Sequence, residues 1–190
     1  ADGGNLKQMT AIGTNLDPAW SPDGTRIAFA SYRFSQYDIY VADADSGNTH
    51  RLTEHPADEL NPAWSPDGTR IAFASTRDGD LGIYVMDANG DNVRRLTDDP
   101  GWDSLPTWSP DGTRIAFKSG RDSDSGRNEI YVMDADGTSL HRLTDIHATD
   151  SGWTSVHAPR WSPDGTRIAF SSGGGSVADI YVVDADGATV

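Results

Sequence analysis

Apolar positions along the chain come in short runs separated by turn residues, and the same run recurs four times. Ile-Ala-Phe occurs at Ile27–Phe29, Ile71–Phe73, Ile115–Phe117 and Ile168–Phe170. A second apolar run, Ile-Tyr-Val, follows each of them, starting at Ile39, Ile83, Ile130 and Ile180. Both runs place apolar side chains on alternate and on intervening positions, the pattern of a strand covered on both faces. A ten-residue string, Trp-Ser-Pro-Asp-Gly-Thr-Arg-Ile-Ala-Phe, stands unaltered at Trp20–Phe29, Trp64–Phe73, Trp108–Phe117 and Trp161–Phe170. Its starts lie 44, 44 and 53 residues apart, a period suited to a four-stranded blade.

Each repeat predicts four strands in fixed order. The first ends at the tryptophan, and Ser-Pro-Asp-Gly then forms a tight turn: proline presets φ, aspartate bonds nearby backbone, and glycine takes the turn exit. The two apolar runs are the second and third strands. A turn such as Asp-Ala-Asp-Gly leads to an outer strand ending in Arg-Leu-Thr, at Arg51–Thr53, Arg95–Thr97 (as Arg-Leu-Thr) and Arg142–Thr144. The predicted fold is therefore an all-β propeller of four blades, each of four antiparallel strands, with repeats beginning near Asn15, Glu59, Asp103 and Val156. Residues 1–190 are read as a single propeller domain.

The segment Ala1–Thr10 reads as an outer strand without its blade, and the last repeat lacks an outer strand. Their union gives sixteen strands, so the expectation is a ring closed by the N-terminal strand pairing with the last blade. The alternatives are half of an eight-bladed dimer, formed by exchange of N-terminal strands, and a fragment of a larger propeller.

The motif Pro-x-Trp-Ser-Pro-Asp-Gly, followed by Ile-Ala-Phe, Ile-Tyr-Val and Asp-Ala-Asp-Gly through Arg-Leu-Thr, closely resembles the TolB-type propeller repeat. The resemblance covers essentially the whole chain. It implies a rigid binding platform, frequently outside the cytoplasm; the family includes periplasmic TolB, which binds lipoprotein and colicin partners. Similar repeats stand beside the hydrolase domain of prolyl-oligopeptidase-like enzymes. The family usually has six to eight blades, and the resemblance supplies no catalytic residue.

Composition narrows the partners. A formal charge of −14 disfavours nucleic acid and anionic membrane surfaces, both of which require a basic footprint. No apolar run is long enough to span a bilayer as a helix, and no signal-peptide pattern stands at the N-terminus. The resemblance suggests a periplasmic or extracellular location. There is no cysteine, so neither a disulfide framework nor thiolate chemistry is expected. A monomer is expected, with the strand-exchanged dimer as its alternative.

Specific function must reside where the repeats disagree. The loops after each outer strand and between second and third strands share one end of the propeller. There lie Trp102, Asp103, His147, Trp153 and His157, with Tyr32 and Phe34 on another loop. Aromatic rings beside carboxylates and amides can stack on a sugar or anchor a protein, so these residues form the candidate ligand site, for a protein partner or a glycan. Asp122, Asp124, Asn128 and Glu129 are spaced partly like a calcium loop but lack its twelve-residue pattern, so a solvated turn is the first reading and calcium the second; no other cofactor is expected. Arg33, Arg77 and Arg121, each two residues after a serine, are read as structural, pairing with a blade carboxylate such as Asp38 or Glu129 or with a neighbouring blade. No nucleophile elbow, phosphate loop or zinc motif is present, so the protein is read as a non-catalytic binding or scaffold module. The alternatives are a propeller-type polysaccharide lyase or hydrolase using His157, His147 and Arg160, and an amplified or designed scaffold with no natural ligand.

Overall fold

The computed structural model describes residues 6–122, 128–145, 155–174 and 177–187. They form four consecutive antiparallel sheets. The first comprises β1 (Thr14–Trp20), β2 (Arg26–Tyr32), β3 (Tyr37–Asp43) and β4 (Thr49–Arg51); the second β5 (Glu59–Trp64), β6 (Arg70–Ser75), β7 (Gly82–Asp87) and β8 (Arg94–Arg95). The third comprises β9 (Ser104–Trp108), β10 (Arg114–Ser119), β11 (Glu129–Asp134) and β12 (His141–Arg142); the fourth β13 (Ser155–Trp161), β14 (Arg167–Gly174) and β15 (Val177–Asp184). Each sheet is a meander in chain order. The strand pattern read from the repeats is therefore present, with three strands in the fourth sheet.

The turn chemistry explains why every hairpin closes alike. In the first sheet Ser21 N donates to Arg26 O at 2.8 Å, and Asp23 Oδ1 accepts from Ser21 Oγ, Thr25 N and Thr25 Oγ1 at 2.6, 3.0 and 2.9 Å. These donors hold the Asp23 carboxyl at about 2, below its ordinary 3.8, and the same donor set does so for Asp67, Asp111 and Asp164. Gly24, Gly68, Gly112 and Gly165 share a φ of 71°, a conformation natural to glycine. The second turn is tied to the first, because Ala44 N donates to Thr25 O at 2.9 Å, and Ala88, Ala135 and Ala185 repeat the bond to Thr69, Thr113 and Thr166. Both conserved turns thus share one end, and the variable loops occupy the other.

The core lies between sheets. Ala28, Ala30, Ile39 and Val41 of the first sheet pack on Trp64, Ile71, Phe73, Tyr84 and Met86 of the second. Ala72, Ala74, Ile83 and Val85 meet Trp108, Ile115, Phe117, Tyr131 and Met133 in the same way. Ala116, Ile130, Val132 and Leu143 meet Val156, Ile168, Phe170 and Ala185. Both faces of β6, β7, β10 and β11 are covered, as their unbroken apolar runs require.

Two further contacts recur at every junction. The guanidinium of Arg26 lies 4.6 Å from the Trp64 ring centre, Arg70 lies 4.6 Å from Trp108, and Arg114 lies 4.7 Å from Trp161. At each junction the turn glycine abuts the turn proline of the preceding sheet: a Cβ on Gly68 would stand 3.3 Å from Pro22, one on Gly112 3.2 Å from Pro66 and one on Gly165 3.5 Å from Pro110.

Single-chain closure is not shown among the described residues. Inner strands meet in the order β1, β5, β9, β13, and no strand of the fourth sheet contacts a strand of the first. Among the described residues the sheets form an open arc. Leu6–Thr10 does not form a strand with β15; it stays on its own following sheet, where Lys7 Nζ donates to Asp45 O and Asn15 Nδ2 donates to Thr10 Oγ1 at 3.1 Å. Strand number fixes how many partners are available; the angle turned at each junction fixes whether the ends meet.

Candidate functional site

At the variable end, the residue opening each inner strand meets the end of the second strand. Glu59 and Asp103 occupy this position and are fully buried. Arg77 donates to Glu59 Oε1, and Arg121 Nη2 donates to Asp103 Oδ2 at 2.7 Å. Burial pushes both carboxyls up, while hydrogen bonds from Thr53 and Arg77 at Glu59, and from Ser119, Thr97 and Arg121 at Asp103, pull the other way. The arginines are sandwiched as well: Arg77 lies 5.0 Å from the Tyr84 ring centre and Arg121 lies 5.0 Å from Tyr131. Arg77 and Arg121 thus pair with carboxylates as read, but with Glu59 and Asp103 instead of Asp38, which Arg51 holds, or Glu129. Arg33 differs, bonding Ser31 Oγ at 2.9 Å and covering Tyr40 at 4.1 Å.

This buried layer sets the aromatic side chains above it. Trp102 stands between buried Gly101 and buried Asp103, with Gly101 N bonded to Asp99 O at 2.7 Å and Asp103 N to Leu81 O at 2.8 Å. With both neighbours drawn inward, the indole is 75% exposed. Asp103 therefore anchors the loop instead of facing a ligand. Tyr32 and Phe34 are also exposed; Tyr32 leans on Tyr37 at 5.2 Å, and Phe34 lies 5.1 Å from the Arg51 guanidinium, which Asp38 holds at 2.9 Å. Tyr32 and Phe34 belong to the first sheet and Trp102 to the entry of the third. They share an end of the arc without touching.

His157 is exposed on β13 opposite Ser171. Partial burial and the charge of Lys118 push its imidazole below the ordinary value. Trp153 and His147 lie outside the described residues, as does Asp124 of the calcium candidate. Of that candidate's other members, Asp122 accepts from Tyr131 Oη, and Glu129 accepts from Thr144 Oγ1. Among the described residues no three His, Asp or Glu side chains are grouped to hold a metal ion.

A second concavity runs along the inner strands, a cleft of about 340 Å³ lined by Asp17, Trp20, Asn61, Leu105, Thr107 and Arg160 among others. Asp17, Asn61, Leu105 and Ala158 have φ of 53, 52, 56 and 50°, and each precedes a proline where the strand bulges. Asn61 Nδ2 donates to Asp17 Oδ2 at 2.8 Å. Sequence reasoning missed this cleft, although its signal was present: all four repeats keep the proline two residues before tryptophan, and all four differ at the residue before it. Lys118 was missed similarly; it replaces the alanine of Ala30 and Ala74 and is half-buried.

The model of the TolB beta propeller domain matches residues 1–155. The chain belongs to the TolB β-propeller family. A TolB from Acinetobacter baumannii is 30% identical with a TM-score of 0.80, over 100% of this chain and 45% of that one. A TolB-type protein from Agrobacterium tumefaciens is 29% identical with a TM-score of 0.79, over 94% of this chain and 65% of that one. The Tol-Pal system protein TolB of Coxiella burnetii is 42% identical over 41 residues, 22% of this chain and 9% of its own length. The chain thus spans less than two thirds of each of these relatives. An oligogalacturonate lyase from Vibrio parahaemolyticus, 16% identical with a TM-score of 0.67 over 94% of this chain and 53% of its own, shares the fold alone.

As a TolB-type propeller, the chain carries its family signature in the conserved turns, Trp positions and inter-sheet apolar layers. The exposed residues of its variable end lie outside that repeated framework, while the inner cleft combines repeated proline and tryptophan positions with the changing residues Asp17, Asn61, Leu105, Thr107 and Arg160. Arg160 lines the inner cleft, whereas His157 faces the loop end; the two are separated by the bulge between His157 and Arg160.

Proposed function

We propose that this chain is a non-catalytic, protein-binding propeller module that works in the periplasm, with residues 1–190 acting as one propeller domain. The observation that carries the reading is Trp102, an exposed indole fixed at both flanks by a buried hydrogen-bonded layer. A large ring held rigid before binding gains contact area at little entropic cost. Phe34 and Tyr32 extend the surface, and His157 supplies a polar imidazole whose pKa burial and the charge of Lys118 lower. Family membership supports a protein partner, the Tol-Pal name of the Coxiella relative pointing to Pal as the first to try.

The test is a binding measurement with the soluble domain of Pal, run beside a glycan array. Wild-type protein is expected to bind Pal, and Trp102→Ala to bind about 30-fold more weakly, as an interface tryptophan worth about 2 kcal/mol requires. Unchanged binding by Trp102→Ala together with unchanged melting would remove Trp102 from the site. A glycan hit lost in Trp102→Ala, with no Pal binding, would replace the protein reading by a carbohydrate one. Turnover of oligogalacturonate that disappears in His157→Ala would overturn the non-catalytic reading.

A further inference from the structure

The two ends of the arc are complementary halves of a contact the chain already makes three times. At each internal junction, the isoleucine and valine of one third strand pack on the tryptophan, isoleucine and phenylalanine of the next sheet: Ile39 and Val41 on Trp64, Ile71 and Phe73, and so on along the chain. The six internal isoleucine and valine side chains are at most 4% exposed. Their counterparts on β15, Ile180 and Val182, are 75% and 54% exposed. At the other end, Trp20 is 60% exposed, against 8% for Trp64 and 7% for Trp108. Beside it, Leu16, Pro18, Ile27, Phe29 and Ala42 line an apolar hollow of about 230 Å³.

The repeated polar contacts have the same two unfilled halves. Arg26, Arg70 and Arg114 each cover the tryptophan of the next sheet, which leaves Arg167 exposed without a ring and Trp20 without an arginine among the described residues. Gly68, Gly112 and Gly165 abut a proline of the preceding sheet, whereas a Cβ on Gly24 would meet nothing within 4 Å. Ile39, Ile83 and Ile130 each donate a backbone N–H to the hydroxyl of Thr53, Thr97 or Thr144. Thr10 is the corresponding threonine before the first sheet, and Ile180 the corresponding amide on the last.

We propose that a second copy of this chain docks head to tail on the open face, setting Ile180 and Val182 of one copy against Leu16, Trp20 and Ile27 of the other. The occupant is specified by the chain itself, since each face meets its mate at three internal junctions and the mate of each open face exists on every copy. Residues 6–10 of the second copy complete the fourth sheet without leaving their own first sheet, as Leu52 lies beside the turn at Gly90 while bonding its own strand. The register follows from Tyr40 opposite Arg51 and Val41 opposite His50: Tyr181 pairs with Gln8 and Val182 with Lys7 of the second copy. Leu6, 99% exposed, then takes the place that Val93 and Leu140 hold against the internal cores. Such a contact is heterologous: two copies close a ring of eight sheets where the rotation per copy is a half-turn, and otherwise further copies add to an open chain.

Native mass spectrometry and sedimentation of the full chain read the result directly. Species at twice the 20.4 kDa chain mass or higher multiples, growing with concentration, are expected. Trp20→Glu, which disables the head, and Val182→Glu, which disables the tail, are each expected to sediment as single chains with wild-type circular dichroism. Both sites are exposed, so folding is not at stake. Mixed in equal amounts, the two variants retain one intact head and one intact tail and are expected to form a one-to-one dimer that neither forms alone. A single-chain mass for the wild type at all concentrations, or a mixture that stays monomeric, would overturn the proposal and leave further repeats of the same kind as the occupant of the face.

Discussion

Replacing Trp108 by alanine tests the inter-sheet core at one side chain. The indole is 7% exposed, donates to Ala63 O at 3.1 Å and lies under the Arg70 guanidinium at 4.6 Å. Truncating a buried tryptophan costs about 3–5 kcal/mol. The lost hydrogen bond, about 1 kcal/mol, and the lost cation–π contact, about 0.5–1 kcal/mol, place this site at the upper part of that range. At about 2–4 °C per kcal/mol for a chain of this length, Trp108→Ala should melt about 8–20 °C below wild type. The control is internal to the repeat: Trp20→Ala removes the same ring from the same motif where it is 60% exposed, and should cost about 1 kcal/mol in dilute protein. Trp64→Ala should fall about 1 kcal/mol short of Trp108→Ala, because the Trp64 indole nitrogen is buried without an acceptor. Far-UV circular dichroism melts and urea titrations at low concentration measure all three. Equal melting points for Trp108→Ala and Trp20→Ala would refute the packing on which the fold rests.

Acid should act through the turns. Asp23, Asp67, Asp111 and Asp164 titrate near 2 when folded against about 3.9 unfolded, so their stabilisation is full above about pH 4 and disappears as pH falls toward 2. Urea midpoints should decline across that window, and Asp67→Asn should flatten the decline. Glu59 and Asp103 contribute with the opposite sign, since burial raises their carboxyls and favours the protonated form. Asp103→Ala leaves the buried Arg121 with only the long contact to exposed Asp99 at 3.4 Å and should cost about 3 kcal/mol by urea titration; Asp103→Asn, which keeps an acceptor, should cost less. Gly24→Ala and Gly90→Ala both impose a positive φ on alanine, at about 1–2 kcal/mol. Gly90→Ala should be clearly worse in a thermal melt, because its Cβ would stand 2.6 Å from Leu52 O while that of Gly24 meets empty space.

Local chemistry was legible in the sequence, and relations between ends were not. Ser-Pro-Asp-Gly specifies its own turn through bonds spanning five residues, so a reader of Ser21–Arg26 has every partner in view. The apolar runs of β6 and β7 announce two covered faces for the same reason. Asp103 was misplaced because it stands beside Trp102 in a variable loop, and only the approach of Arg121, eighteen residues later, draws it inside. Closure was not legible because Leu6–Thr10 satisfies the strand count equally well whether it pairs with its own β15 or another. The inner cleft needed comparison of the repeats at one column, Asp17, Asn61, Leu105 and Ala158, where a constant proline conceals a changing neighbour.

The contacts between Arg26 and Trp64, Arg70 and Trp108, and Arg114 and Trp161 make each sheet's stability depend on the one beside it. Such a chain behaves as a short line of coupled units, in which a middle unit has two neighbours to lose and a terminal unit has one. Amide exchange should consequently be graded along the molecule, slowest in β6, β7, β10 and β11 and fastest in β1 and β15, with opening that starts at an end and travels inward. A partner that grips two adjacent sheets would lock the junction between them and slow exchange in both.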